Sequence, residues 1–312
     1  MRHNARHLDK VAPGIESERV SHESSMHSPA RIRTDPEAAI MEVESSARRF
    51  ETPCGSGRMV WRKWGSGRPV LLLHGGSGSW LHWLTNIPVL AQRYTVWVPD
   101  MPGFGDSDLP PQPYTLDAYT AVVESGLRSF LSDGVRLDLV GFSFGGGIAA
   151  RLARRLEGRF HHMVLSGINF FPPAPLKRKL VSLRRIEDPA ERTKGVRHNL
   201  QVMLIAHERN IDDLALHLYS VDTARRRLPR VSFRGSAGVR DDLPGVRLQG
   251  QLAVISGVDD QVIGHSAAEQ AEMLRSLRPD ARYRTLEGAG HWVMYEAAER
   301  YDEALLAALE TS

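Results

Sequence analysis

The 312 residues carry 40 Lys and Arg against 37 Asp and Glu, a net charge of +3 at pH 7, with 42% hydrophobic and 25% charged residues. These are globular values, enough for one large α/β domain or two smaller ones, and arginines spread along the chain leave no nucleic-acid footprint. The one cysteine, Cys54, excludes an intrachain disulfide and fits a reducing compartment. No apolar run reaches membrane-span length and no secretory core appears. A cytoplasmic protein is expected, with neither membrane nor nucleic acid as partner.

Residues 1–46 read as a disordered extension, rich in Ser, Arg, Glu and His with no sustained period. His3, His7, His22 and His27 fit no ligand spacing, so no metal is expected. Glu16, Glu18 and Glu23 argue against a mitochondrial presequence. Met41 is read as a candidate start of translation, since recognisable pattern begins after it.

Three strand-like runs follow, 48–52, 59–64 and 69–73, separated by Gly-Ser-Gly turns. The third runs into His74-Gly75-Gly76-Ser77-Gly78-Ser79-Trp80, a small-residue loop suited to close approach of backbone to ligand. Helical spacing over 80–90, a strand at 94–98, a helix over 116–131, a strand ending near 142, a helix and a strand at 162–166 come next. This alternation predicts a mostly parallel sheet covered on both faces, an α/β fold. It breaks at the proline-rich stretch near 170. Residues 170–236 are arginine-rich and helical by pattern and read as an inserted cap, leaving 47–169 and 237–312 as the core. Strands at 251–256 and 281–286, with helices over 266–276 and 296–309, complete the prediction.

The chemistry centres on Gly141-Phe142-Ser143-Phe144-Gly145, a Gly-x-Ser-x-Gly motif between an apolar strand and a small-residue helix. Such an elbow lifts a serine hydroxyl above the sheet and leaves a backbone N–H beside it. Neither glycine-rich phosphate-binding motif is present. Serine needs a base, and the base needs an orienting group. His291, in Gly290-His291-Trp292 after the last predicted strand, falls on the same sheet edge as Ser143. Gly257-Val258-Asp259-Asp260 follows the penultimate strand and offers two carboxylates, of which one can reach the histidine. The backbone N–H groups of Phe144 and Gly76 are candidate oxyanion donors. Ser77, Trp80, Phe142 and Trp292 are candidate pocket residues.

These motifs, with Pro99-Asp100-Met101-Pro102-Gly103-Phe104-Gly105-Asp106-Ser107, resemble the α/β-hydrolase superfamily over about residues 48–310. The resemblance implies an α/β-hydrolase fold, places the acid on Asp260 with Asp259 as runner-up, and implies no cofactor. Serine at the elbow is unlike haloalkane dehalogenases and epoxide hydrolases, which carry aspartate there. Gly290-His291-Trp292 and His74-Gly75-Gly76 are further similar to the meta-cleavage-product hydrolases of aromatic catabolism, which cut carbon–carbon bonds. Arg184, Arg185, Arg192 and Arg197 are candidates, by charge, for binding a substrate carboxylate.

The expected activity is hydrolysis of a small-molecule carbonyl substrate, at a carbon–carbon bond or an ester, by a monomer or homo-oligomer. A haloperoxidase-like or acyltransferase activity on the same residues, or a non-catalytic ligand receptor on this scaffold, are the alternatives.

Overall fold

Several strands are buried along their whole length, so neither face is given to water. All six residues of the strand Leu137–Phe142 and all six of Leu252–Gly257 are buried. The computed structural model describes residues 15–17, 35–132, 134–172, 176, 178–229 and 238–310. In chain order these form β1 (Ile15–Ser17), α1 (Pro36–Ser45), β2 (Arg48–Cys54), β3 (Gly57–Trp64), β4 (Arg68–Leu73), α2 (Ile87–Leu90), β5 (Tyr94–Pro99) and α3 (Leu116–Arg128). Then come β6 (Leu137–Phe142), α4 (Phe144–Arg155), β7 (Phe160–Ser166), α5 (Pro189–Met203), α6 (Asp213–Arg225) and α7 (Val239–Asp242). The chain closes with β8 (Leu252–Gly257), α8 (Ala267–Leu277), β9 (Arg282–Leu286), α9 (Val293–Glu296) and α10 (Ala298–Leu309).

The strands form one sheet in the order β1-β9-β8-β7-β6-β4-β5-β3-β2. Pairing is antiparallel for β2 with β3 and β3 with β5, and parallel elsewhere. From β4 the chain steps to β5 on one side and later returns to β6 on the other. The loops leaving β4 and β6 therefore diverge over a crevice at the carboxyl edge, the place where open α/β sheets bind ligands. The core lies in two apolar layers, one on each face of the sheet.

Between β7 and β8, α5 and α6 stand apart from the sheet layers. They pack on each other, and α6 also meets α1 and a 3₁₀ turn at Trp80–Trp83. No strand occurs in this insert among the described residues.

Two expectations are corrected. Residues 36–45 are a helix rather than disordered: Asp35 caps it by accepting from Glu37 N, Pro36 opens it, and Ile40 and Val43 pack on the core. No residue of α1 is fully buried, so its apolar period is too thin to read. Met41 stands inside this helix, which begins before it. His3, His7, His22 and His27 lie outside the described residues. The helix expected over 80–90 is two short pieces, Trp80–Trp83 and α2, because Pro88 lacks an N–H and its ring clashes with the carbonyl four residues back. The closing helix stands as expected at Ala298–Leu309, and the non-helical backbone of Ala297 (φ −124°, ψ 45°) separates it from the short α9.

One buried cation ties the first strands to the site. Arg62, on β3, is 2% exposed and donates to Asp100 Oδ2 at 2.9 Å, Asp106 Oδ2 at 2.6 Å and Glu44 Oε1. Asp100, itself 1% exposed, also accepts from Trp80 N and Asp106 N at 2.9 Å. Removing the arginine leaves Asp100 buried without its cation. Arg62→Ala is expected to cost about 3–5 kcal/mol of unfolding free energy in urea titrations. Arg93→Ala, which breaks an exposed pair with Glu310, is expected to cost about 0–1 kcal/mol.

Candidate active site

Ser143 joins β6 to α4 with φ 50° and ψ −114°, a backbone conformation that side-chain-bearing residues rarely adopt. Its neighbours show why the motif needs glycine. A Cβ on Gly145 would lie 2.4 Å from the carbonyl oxygens of Leu73 and His74, and one on Gly141 would lie 2.7 Å from Gly146 Cα. The first turn of α4 is thus pressed onto the ends of β4 and β6. Ser143 N–H donates to Ser166 O at 2.8 Å, fixing the turn to β7.

His291 and Asp260 arrive from the ends of β9 and β8. These loops are laced together: Val258 N–H donates to Leu286 O and Asp259 N–H to Ala289 O, both at 3.0 Å. His291 Nε2 lies 3.0 Å from Ser143 Oγ, and Nδ1 lies 2.7 Å from Asp260 Oδ2. Asp260 Oδ1 accepts from Val262 N–H and Ile263 N–H. With Nδ1–H donating to the carboxylate, Nε2 is left bare toward the serine hydroxyl. The histidine and aspartate side chains are 4% and 3% exposed, and Ser143 is half-buried. Asp259 points elsewhere, to His207 Nε2 at 2.8 Å in a partly exposed pair.

The histidine loop has a second support that sequence reasoning missed. Glu296 takes four donors on one carboxylate: Gly290 N, Ala206 N, His207 N and Asn210 Nδ2, at 2.7–3.0 Å. Trp292 N–H donates to Leu204 O at 2.7 Å. These bonds hold the end of α5 against the His291 loop. A glutamate in a run of Glu, Ala and Arg carries no local sign of that role.

Facing this line is the His74-Gly75-Gly76 loop. Two histidines clamp its Gly75 peptide groups: His74 Nδ1–H donates to Gly75 O at 2.8 Å, and Gly75 N–H donates to His82 Nδ1 at 3.2 Å. His74 Nε2 accepts from Met101 N–H at 2.9 Å. Burial lowers His74 to about 4 and pushes His82 well below the usual imidazole range, so both clamps are neutral. A Cβ on Gly76 would stand 3.6 Å from Phe144 Cβ, which sets the two candidate oxyanion residues side by side.

A cavity of about 260 Å³ opens against this loop. Gly76, Ser77 and Trp292 line it, with Asp222, His82 and Met203 among the others. Trp80 and Phe142, expected in the pocket, do not line it. Trp80 is 2% exposed, beside Trp64 and under the Arg62 guanidinium. Phe142 is fully buried behind the rings of His82 and His291. Both side chains are packed into the core, Phe142 from the end of β6 and Trp80 from the 3₁₀ turn at Trp80–Trp83. A wider cavity of about 590 Å³ shares Ser77, Leu180 and Tyr219 with the first and is lined by Arg184, Arg192, Arg226 and Arg227. Of the expected insert arginines, Arg185 and Arg197 do not line it; Arg197 donates to Ile211 O.

Asp222 is the unexpected member of this site. It comes from α6, is 2% exposed, and holds its carboxyl at about 8. Burial is the main cause; nearby Asp100 adds to it, while hydrogen bonds from Ser79 and the charge of Arg225 oppose it. The folded value thus lies above the ordinary 3.8, so the folded protein holds a proton that the unfolded chain releases. This residue's stabilising contribution is complete below the unfolded value and is lost as pH rises to about 8. Asp222→Asn is expected to flatten the fall in unfolding free energy across that window, measured by urea titrations at a series of pH values. Asp302, raised by burial to about 7, adds a slope of the same sign that both proteins retain.

The geometry can be set beside known proteins. The chain is 25% identical to 2-hydroxy-6-oxo-6-phenylhexa-2,4-dienoate hydrolase of Burkholderia cepacia, over 78% of this chain and 87% of that protein. A meta-cleavage product hydrolase from Pseudomonas fluorescens IP01 superposes with a TM-score of 0.67 at 22% identity, covering 83% of this chain and 97% of that one. A carboxylesterase from Bacillus subtilis superposes with a TM-score of 0.71 at 15% identity, covering 88% and 95%. No helix among the described residues is long and apolar enough to cross a membrane. The model of the alpha/beta hydrolase family matches residues 70–304, a span running from β4 through the serine elbow and the histidine loop into α10, and the chain belongs to that family.

Proposed function

We propose that this protein is a cofactor-independent serine hydrolase acting on a small carbonyl substrate, with Ser143 as nucleophile. The observation that carries the reading is the continuous line Ser143 Oγ, His291 Nε2–Nδ1, Asp260 Oδ2, with steps of 3.0 and 2.7 Å. His291 takes the serine proton as Oγ attacks the carbonyl carbon. The backbone N–H groups of Gly76 and Phe144 receive the charge that develops on the carbonyl oxygen, a contribution of about 2.7–4 kcal/mol per donor in such sites. His291 then returns the proton to the departing group, and water attacks the acyl-serine by the same route in reverse. Asp260 holds the imidazole in the tautomer that leaves Nε2 free.

Between the two bond types, a carbon–carbon bond in an acidic ring-fission dienoate is the better fit. Arginines line the outer cavity, which suits an anionic substrate, and the curated relative from Burkholderia is named for hydrolysis of such a dienoate. The fold likeness to a carboxylesterase keeps ester hydrolysis as the comparison in the test. Turnover of a ring-fission dienoate and a p-nitrophenyl ester is measured side by side, with Ser143→Ala as control. Higher kcat/KM for the dienoate, abolished in Ser143→Ala, is expected. Ester preference moves the protein to the esterases. Turnover that is no faster than the Ser143→Ala control with either substrate removes the hydrolase reading for these classes.

The two adjacent aspartates separate in the same assay. Asp260→Asn is expected to lower kcat by about 10⁴-fold by favouring the wrong imidazole tautomer. Asp259→Asn, which loses only the contact to His207, is expected to stay within a few-fold of wild type; an equal loss from both would reject the assignment of Asp260.

A further inference from the structure

The cavity has one polar corner for which the proposed reaction has no use. Asp222 on α6 and His82 in the Trp80–Trp83 turn both line it, 2% and 4% exposed. Asp222 Oδ1 accepts from Ser79 Oγ at 2.5 Å, while Oδ2 is fully buried and has no hydrogen-bond partner among the described residues. The nearest basic atom is His82 Nε2 at 3.8 Å, too far for a hydrogen bond. The tautomer of His82 follows from its other nitrogen. Nδ1 accepts from Gly75 N–H, so Nε2 carries the hydrogen. Both residues line the cavity, and the donor of one and the carboxyl oxygen of the other lie 3.8 Å apart without satisfying each other.

We propose that Asp222 and His82 form a hydroxyl-binding subsite, so that the substrate is an apolar chain or ring bearing a hydroxyl group. The hydroxyl oxygen accepts from His82 Nε2–H and exchanges a second hydrogen bond with Asp222 Oδ2. Other groups serve one partner only. An ammonium meets the imidazole N–H, and a carboxylate brings a full charge into a buried corner whose two groups are uncharged. Leu180, Met203, Leu204 and Trp292 give the wall an apolar part that suits the carbon skeleton, beside Ser77, Tyr219, Thr223 and Arg226. At neutral pH both polar groups are uncharged, which favours a neutral guest. His82 Nδ1 lies 3.2 Å from Gly75 N, one residue from the Gly76 donor, so the hydroxyl sits a few bonds from the reacting carbonyl. The inference deepens the proposed function, and the turnover arm of its test rests on that reading.

Methyl hexanoate and its 3-, 5- and 6-hydroxy derivatives are compared as substrates of the wild-type protein and of Asp222→Ala. For at least one hydroxy ester, kcat/KM is expected to exceed that of methyl hexanoate by about tenfold or more, because a site built to bond a hydroxyl rejects the analogue lacking it. In Asp222→Ala that ratio is expected to fall to within about twofold. The corresponding hexanamides, bound to Ser143→Ala and followed by calorimetry, pose the same comparison without chemistry. A protein that hydrolyses none of the esters but binds a hydroxyamide more tightly than hexanamide is no hydrolase of these esters and keeps the subsite. Equal treatment of plain and hydroxylated chains by wild type, or no binding of any hydroxyamide, overturns the subsite whether or not Asp222→Ala folds. A ratio unchanged in a folded Asp222→Ala overturns it as well.

Discussion

A serine at φ 50° is the constraint around which the other parts are placed. That backbone is costly for any residue with a side chain, and it persists because the surroundings leave no alternative. Gly145 sits against the carbonyls that end β4, Gly141 sits against Gly146, and Ser143 N–H is held by Ser166 O. Each of these contacts comes from a different strand of one parallel sheet. The strain is therefore supported by the sheet as a whole, and its result is a hydroxyl raised above the carboxyl edge within 3.0 Å of His291 Nε2.

The same edge gathers three further loops, each braced by polar groups that themselves need fixing. Gly75 is gripped at its carbonyl by His74 and at its N–H by His82. The His291 loop is gripped by Glu296, which also binds three donors of the insert. Asp260 is gripped by two backbone N–H groups beside its contact to His291. In a dry site, donors and acceptors held in advance cost no reorganisation when charge develops. The insert is consequently tied to the site through Glu296 and through Leu204 O, not only laid over it.

Buried ionisable groups here follow two different solutions. Arg62 and Asp100 are kept charged and matched, with Asp106 and Glu44 completing the cluster. Asp222 and His82 are instead neutralised by burial, one raised and one lowered. The first arrangement belongs to the scaffold beneath the site, where every oxygen facing the guanidinium finds a donor. The second lies on the cavity wall, where Asp222 Oδ2 has no hydrogen-bond partner among the described residues. A buried polar atom on a cavity wall is where recognition of a ligand is most economically built, since its bond is made only when the right group arrives.

Ser143, His291 and the α/β architecture were legible in the sequence because each depends on local pattern: apolar strands without a polar face, glycines flanking one serine, a glycine before one histidine at a strand end. Between Asp259 and Asp260 the residues' own local signals were silent and only the family resemblance pointed to Asp260; the lacing of the β8 and β9 loops is what turns that carboxylate inward and the other toward His207. Trp80 and Phe142 looked like pocket residues by proximity along the chain, yet the packing of their rings under Arg62 and behind His82 sends them into the core. Asp222 could not be found at all. It lies about 79 residues beyond the serine on an unremarkable helix, and its meeting with His82 is made by the fold of the insert. What the sequence by itself determined was the order of strands and helices and the strained turn, because backbone conformation and apolar period are written residue by residue. Which carboxylate meets the histidine, which rings face the ligand and which acid is buried neutral were decided by tertiary structure alone, because those depend on distances between segments remote along the chain.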